Sequence, residues 1–170
     1  KMKFKFFSTL LVIGLIFTSC EKEEAKIQGC TDPLALNFNV NADEDNGSCN
    51  YLWTCDVVYY LDYSASLYMI ANNIPYYSFY DGSGNLLGSI SNQYYWNIAP
   101  NCIFQGDGST VTSPLEWTGG EYTTTATLSW SAYAPGDLLP TYSGDHIVTA
   151  GLCNQIGLTL KKIESYQEAH

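Results

Sequence analysis

Hydrophobic and polar residues alternate along much of the chain. In the segment 122–132, apolar residues occupy mainly one face, and Ser and Thr occupy the opposite face. The segment 56–63 has the same period, with Val57, Tyr59 and Leu61 on one side. A repeat of two residues predicts β-strands that bury one face and expose the other to water.

A β-hairpin is predicted over residues 76–90. Its two arms are rich in aromatic and apolar residues, and the turn between them reads Asp-Gly-Ser-Gly-Asn. Glycines at such a turn supply the positive φ angles that hairpins need. Further short strands are predicted at 67–71, 94–98, 102–104, 146–150 and 155–163, with a loop-rich region at 105–120 and no helix. About eight strands at this spacing predict an all-β fold, an antiparallel β-sandwich over residues 52–165, followed by a tail at 166–170.

The N-terminal segment has the pattern of an export signal. Two lysines precede an apolar run over residues 6–17, which is too short to span a bilayer but long enough for the core of a signal peptide. The residues Thr18-Ser19-Cys20 that follow resemble the lipobox of bacterial lipoproteins. This resemblance implies that residues 1–19 are removed and that Cys20 carries the lipid that anchors the protein to a bilayer.

A charged tether is predicted over residues 20–28. Its acidic run Lys22-Glu23-Glu24 resembles the export signal of Bacteroidota-type surface lipoproteins. That resemblance implies a lipid-anchored protein of the outer membrane, exposed at the cell surface. A soluble secreted protein cut near Ser19 is the alternative.

Residues 29–51 form a short unit bracketed by two cysteines. It opens with Gly29-Cys30-Thr31-Asp32-Pro33 and closes with Asp45-Asn46-Gly47-Ser48-Cys49 before Tyr51. A segment of this length cannot bury enough apolar surface to fold alone, so we expect a Cys30–Cys49 disulfide, which contributes about 3 kcal/mol for such a loop. The two motifs resemble a short repeat of Bacteroidota extracellular proteins, which implies that the unit is a spacer module.

Oxygen-bearing side chains recur at alternate positions inside this module. They include Asn39, Asn41, Asp43 and Asp45, which precede a glycine turn. Part of this spacing is that of a calcium-binding loop, although the bidentate Glu of such loops is missing. Calcium is therefore one hypothesis, and a turn of polar residues held by the disulfide is the favoured alternative. No other cofactor is predicted.

Three cysteines remain, namely Cys55, Cys102 and Cys153, so we expect one bridge and one free thiol among them. Cys102 and Cys153 both fall where predicted strands meet loops, which favours a bridge between them. Pairing with Cys55 stays open on the sequence.

The charge balance excludes one class of partner. The chain holds 7 Lys+Arg against 17 Asp+Glu, and no Lys or Arg occurs between Lys26 and Lys161. A nucleic acid would find no cations there to neutralise its phosphates. We therefore expect no nucleic-acid binding.

Candidate catalytic residues are few. Asp145-His146 follows Gly144 at the start of a predicted strand, a position that favours a solvent-facing turn histidine. Glu116 and Glu121 are the only acid pair suggestive of glycosidase chemistry, and they lie in or next to the predicted loop region. We predict a protein without enzymatic activity, with a small carbohydrate-active enzyme as an alternative.

Aromatic residues near predicted loops indicate a binding role. Tyr94, Tyr95, Trp96, Trp117 and Tyr133 can stack on sugar faces while neighbouring polar side chains bind hydroxyls. We predict a non-catalytic extracellular binding module for a glycan or a surface protein, with the first four of these residues as its contact site. A structural or adhesive subunit that associates with its own kind is a further alternative.

Overall fold

The computed structural model describes residues 24–103 and 107–159. The predicted signal peptide at 1–19, the lipidation site Cys20 and the predicted tail at 166–170 lie outside the described residues. Within the described part of the chain, no helix has the length and apolar character needed to cross a membrane.

The described residues fold into two facing β-sheets with one short helix. The elements are β1 (Gln28–Gly29), β2 (Glu44–Asp45), β3 (Tyr51–Leu61), α1 (Tyr63–Ala71), β4 (Tyr76–Asp81), β5 (Leu86–Ser91), β6 (Val111–Gly119), β7 (Thr125–Tyr133), β8 (Tyr142–Thr149) and β9 (Cys153–Leu158). The first sheet has the strand order β6-β3-β9 and the second has the order β5-β4-β7-β8, while β1 and β2 form a small parallel pair. The predicted all-β sandwich is therefore confirmed.

The core lies between the two sheets. The ring of Tyr59 on β3 contacts Phe79 at a centroid distance of 5.1 Å and Trp130 at 6.0 Å, so aromatic rings of both sheets meet. Val57 and Leu61 are fully buried on the same side of β3 as Tyr59. The alternation in the sequence thus identified the buried face of this strand correctly.

One pair of strands departs from the antiparallel prediction. β3 runs antiparallel to β6 but parallel to β9. The chain reaches β9 from β8 of the opposite sheet through a tight turn, in which Gly151 has a φ of 70° and its N–H donates to the Thr54 carbonyl at 2.8 Å. The direction of β9 is therefore set by the crossing between sheets, which no local pattern encodes.

The strand predicted at 67–71 is wrong, because this segment belongs to the helix α1. The Asp62 carboxylate caps the helix by accepting the Ala65 N–H at 2.7 Å. Ala65 and Ser66 are buried together with Met69, one turn further on. A single buried turn is too short a repeat to reveal a helix by periodicity.

The predicted strands near residues 94–98 and 102–103 are also not formed. The segment 92–103 instead packs on the outer face of the first sheet, where the Trp96 N–H donates to the Leu61 carbonyl at 2.9 Å. The Gln155 side chain donates to the Pro100 carbonyl at 2.8 Å on the same face. This cover explains why Val58 is fully buried although it points away from the core.

The region predicted to be richest in loops contains the nine-residue strand β6. β6 is an edge strand, so Pro114 can occupy it without removing a hydrogen bond that the sheet requires. Proline and glycine in this region favoured a loop prediction, whereas pairing with β3 over its whole length forms the strand.

Two disulfides, Cys30–Cys49 and Cys102–Cys153, confirm the predicted pairings. Cys55 is a buried free thiol. Cys153 lies in register with Asp56, whose side chain points to the outer face of the sheet, whereas Cys55 points into the core. The pleat thus places Cys55 and Cys153 on opposite faces, which prevents a bridge between them.

Hydrogen bonds hold the body of the disulfide module to its last two residues, where the chain enters β3. The Leu36 N–H donates to the Asn50 carbonyl at 2.7 Å, and the Tyr51 hydroxyl donates to Asp32 at 2.7 Å. The Leu34 N–H and then the Tyr51 hydroxyl lower the pKa of Asp32. The same bond to Asp32 raises the pKa of Tyr51 to about 12.

Candidate functional site

The outer face of the second sheet carries a groove over its two central strands. β4 pairs with β5 and β7, and β7 pairs with β4 and β8, so both strands use their backbone groups within the sheet. On β4, Tyr77 and Phe79 enter the core, which leaves Tyr76, Ser78 and Tyr80 on the outside. These two strands therefore contribute side chains, and no free backbone edge, to the groove.

The groove has a volume of about 430 Å³. Its floor and walls come from the outward residues of β4 and β7, from the turn after β4 and from the loop after β7. The lining residues are Tyr76, Ser78, Tyr80, Gly84, Ser131, Tyr133, Ala134, Pro135, Gly136 and Asp137. We call this feature the tyrosine groove.

Tyr80 and Tyr133 form the aromatic centre of the tyrosine groove. Their ring centroids are 5.1 Å apart and their planes are inclined by 77°. The register between β4 and β5 shifts at Tyr80 because β5 carries one extra residue there, whereas Tyr80 continues the alternation of β4 and faces outward. Within the described residues, the hydroxyls of Tyr76, Tyr80 and Tyr133 have no hydrogen-bond partner, so they are available to a ligand.

The turn between β4 and β5 is held by Asp81 at the end of the groove. Its carboxylate accepts the N–H groups of Ser83 and Asn85 and the Asn85 side-chain amide at 2.8–2.9 Å. The amide of the Asn85 side chain is the largest cause that lowers the pKa of Asp81. Asp81 therefore supports the hairpin, which was predicted over residues 76–90 from the glycines of its turn.

The predicted contact residues 94–96 lie on a different surface. Tyr95 packs against the ring of Tyr63 in α1 at 4.9 Å, and the Trp96 indole donates to the Ser109 carbonyl at 3.3 Å. Tyr94 is 37% exposed at the same loop. The rings of Tyr95 and Trp96 are thus engaged in contacts with other parts of the chain.

Trp117, predicted as a loop residue, lies in the strand β6 and on its core-facing side. It pairs with Trp53 near the start of β3, whereas the Trp96 backbone is bonded to Leu61 at the other end of the same strand. A strand rises about 3.3 Å per residue, which separates these points by about 26 Å. Trp117 and residues 94–96 therefore do not form one platform.

Three residues of the calcium hypothesis accept backbone N–H groups of the module and the tether. Asn39 accepts the Asn41 N–H at 3.0 Å, Asp43 accepts the Ile27 N–H at 3.1 Å, and Asp45 accepts the Gly47 N–H at 2.9 Å. Among the residues that the structure describes, no group of three or more His, Cys, Asp or Glu side chains is arranged to hold a metal ion. Calcium binding by this loop stays a hypothesis beside the favoured alternative of a polar turn held by the disulfide.

The predicted acid pair is divided between two cavities. Glu116 lines a cavity of about 370 Å³ beside Cys153, and Glu121 lines one of about 260 Å³ beside Tyr51. His146 was expected in a solvent-facing turn, and it lies instead within β8, half-buried and in register with Leu128. The structure brings none of these three side chains together.

Sequence reasoning identified Tyr133 as a binding candidate but missed Tyr76, Tyr80 and Asp137. The two-residue alternation of β4 could have identified the two tyrosines, because Tyr76 and Tyr80 alternate with the residues of this strand that enter the core. Tyr133, the third tyrosine of the groove, lies far from the other two in the sequence. Only the pairing of β4 with β7 brings the three rings to one surface.

No known protein family matches the sequence, and neither a curated protein nor a solved structure matches it. The geometry of the described residues is therefore the basis for a functional proposal.

Proposed function

We propose that the protein is a non-catalytic binding module whose tyrosine groove holds a glycan without negative charge. The observation that carries this proposal is the set of three tyrosines with unbonded hydroxyls over one open groove. Tyrosine offers an apolar ring face for stacking and a hydroxyl for hydrogen bonds, which are the two contacts that a sugar ring requires.

The electrostatics of the chain support a ligand without negative charge. Lys26 is the only Lys or Arg within the described residues, and it lies in the tether, where its Nζ is 3.8 Å from the Glu44 carboxylate of the module. A sulfated or phosphorylated polymer would meet acidic side chains with no compensating cation.

The position of the groove favours side-chain recognition over the addition of a peptide strand. An extended peptide usually binds by hydrogen-bonding to the backbone of an exposed edge strand. β4 and β7 are the central strands of their sheet and have no such free edge.

We further propose that Cys20 anchors the protein to the outer membrane and that residues 20–28 extend the module from the bilayer. The sequence pattern of residues 6–20 supports this part of the proposal. Two or more acyl chains suffice for stable anchoring. We expect the Cys20→Ala protein to leave the membrane fraction, and its retention after a high-salt wash would contradict the anchor.

A glycan array probed with the detergent-solubilised chain tests the groove. We expect Tyr76→Ala and Tyr133→Ala each to weaken binding of the array hits about fivefold, because one stacked ring contributes about 1 kcal/mol. Tyr122→Ala is the matched control, since Tyr122 is 90% exposed and lies outside the groove. Unchanged binding in both groove variants, or equal losses in the control, would refute the proposed site.

A further inference from the structure

Asp137 is the single charged side chain among the residues that line the tyrosine groove. The other polar side chains of the lining are those of tyrosine and serine, which offer hydroxyls. Hydroxyls serve any sugar, whereas a carboxylate distinguishes ligands by charge. The chemical class of the ligand therefore depends on what Asp137 can bind.

The loop after β7 holds Asp137 in a defined orientation. Its N–H donates to the Ala134 carbonyl at 3.1 Å, and its Oδ2 accepts the Thr141 hydroxyl at 2.7 Å. Thr141 in turn accepts the Ala134 N–H at 3.0 Å. Gly136, with a φ of 88°, allows the tight turn that these bonds close. Within the described residues, Oδ1 has no hydrogen-bond partner and is available to a ligand.

No protein cation neutralises this carboxylate in the described part of the chain. Lys26, the single Lys or Arg there, lies in the tether and pairs with Glu44 of the disulfide module. The faces of tyrosine rings attract cations as well, and Tyr76, Tyr80 and Tyr133 lie around the same groove. A positively charged group is therefore favoured by the carboxylate and by the rings together.

We propose that the tyrosine groove selects glycans that carry a protonated amine, with the amine at Asp137 and the sugar rings on the tyrosines. This inference rests on the proposed function, because it assigns a ligand class to the same groove. A lysine-bearing peptide offers the same cation, but the groove lies on central strands whose backbone is already paired. The open hydroxyls of the groove match the hydroxyls of a sugar more closely than they match a peptide side chain.

The test compares two ligands that differ only at the amine. The full-length chain is titrated with a β-linked glucosamine tetrasaccharide and with its fully N-acetylated counterpart, at about pH 6, where the sugar amines are protonated. We expect the free-amine ligand to bind about tenfold more tightly at low salt, and this preference to shrink as the ionic strength rises. We expect Asp137→Asn to reduce the ratio of affinities to about one.

Asp145→Asn is the control, because it removes one acidic charge from the protein at a residue outside the groove. Asp145 is an exposed carboxylate on β8 that accepts the Ser129 hydroxyl at 2.7 Å, and it does not line the groove. We expect this variant to retain the preference for the amine. An asparagine at 137 can still accept the Thr141 hydroxyl, and an unchanged melting temperature will show that the loop is intact.

The possible results separate this inference from the proposed function. Equal affinities for the two ligands in the unmodified protein would overturn the inference and leave glycan binding in place. A preference that survives Asp137→Asn would also overturn it. Binding of neither oligosaccharide, together with binding of a lysine-rich peptide, would overturn both proposals.

Discussion

Truncation of Trp117 should destabilise the fold rather than remove a ligand contact. The indole packs against the core from the strand β6, and its N–H donates to the Thr123 carbonyl at 2.9 Å. A fully buried Trp loses about 3–5 kcal/mol on truncation to Ala, so a half-buried ring should lose about 2 kcal/mol. The hydrogen bond adds up to about 1 kcal/mol, because water can replace it at this exposed carbonyl.

We therefore expect Trp117→Ala to lower the free energy of unfolding by about 2–3 kcal/mol. For a domain of this size, that loss lowers the melting temperature by about 10 °C. Circular dichroism melting of the purified protein measures the shift. Trp117→Phe keeps part of the buried ring area and should lose about half as much.

Tyr122→Ala is the matched control in the neighbouring turn. Tyr122 is 90% exposed, so its removal should change the melting temperature by less than about 2 °C. A shift of the same small size for Trp117→Ala would show that the ring does not contribute to the core, and the reasoning from its position on β6 would be refuted.

Three further predictions concern the interior. Tyr142→Phe removes the 3.1 Å hydrogen bond of the buried Tyr77 hydroxyl and should lower the free energy of unfolding in urea by about 1–2 kcal/mol. The Tyr77→Phe/Tyr142→Phe double variant should lose less than the sum of the two single variants, and strictly additive losses would contradict a direct bond. Burial raises the pKa of the Cys55 thiol and shields it from reagents. After treatment with an alkylating reagent at about pH 8, peptide mass mapping should find Cys55 unmodified in the folded protein and alkylated in urea. Alkylation without denaturant would contradict its burial. Asp62→Ala should lower the free energy of unfolding by about 1 kcal/mol, because the Ala65 N–H loses its cap. Asp62→Asn should retain most of the stability, and equal losses in both variants would show that the cap does not act through its side-chain oxygen.

The local sequence determined most of the strands of the sandwich and the disulfide of the module. The alternation around Tyr59 and around Trp130 follows from the two-residue period of a strand, which each segment shows without its neighbours. The hairpin turn depends on Asp81 and on Gly84, whose φ is 83°, and both act within a few residues. The Cys30–Cys49 bridge closes a short loop that the module needs to fold.

The tertiary structure decided the elements whose local patterns are weak. The helix α1 buries a single turn against the sandwich, so its period cannot be read over nine residues. The strand β6 contains Pro114 and becomes a strand because it pairs with β3 at the edge of a sheet. The parallel direction of β9 follows from a crossing between sheets.

The candidate site depended most strongly on tertiary structure. Tyr76 and Tyr80 are brought to Tyr133 by the pairing of β4 with β7, and Asp137 joins them through the loop that follows β7. The sequence shows that these residues are polar or aromatic and that they alternate with core positions. It does not show which strands are neighbours, because strand pairing is chosen by the burial of the opposite faces of the strands in a common core.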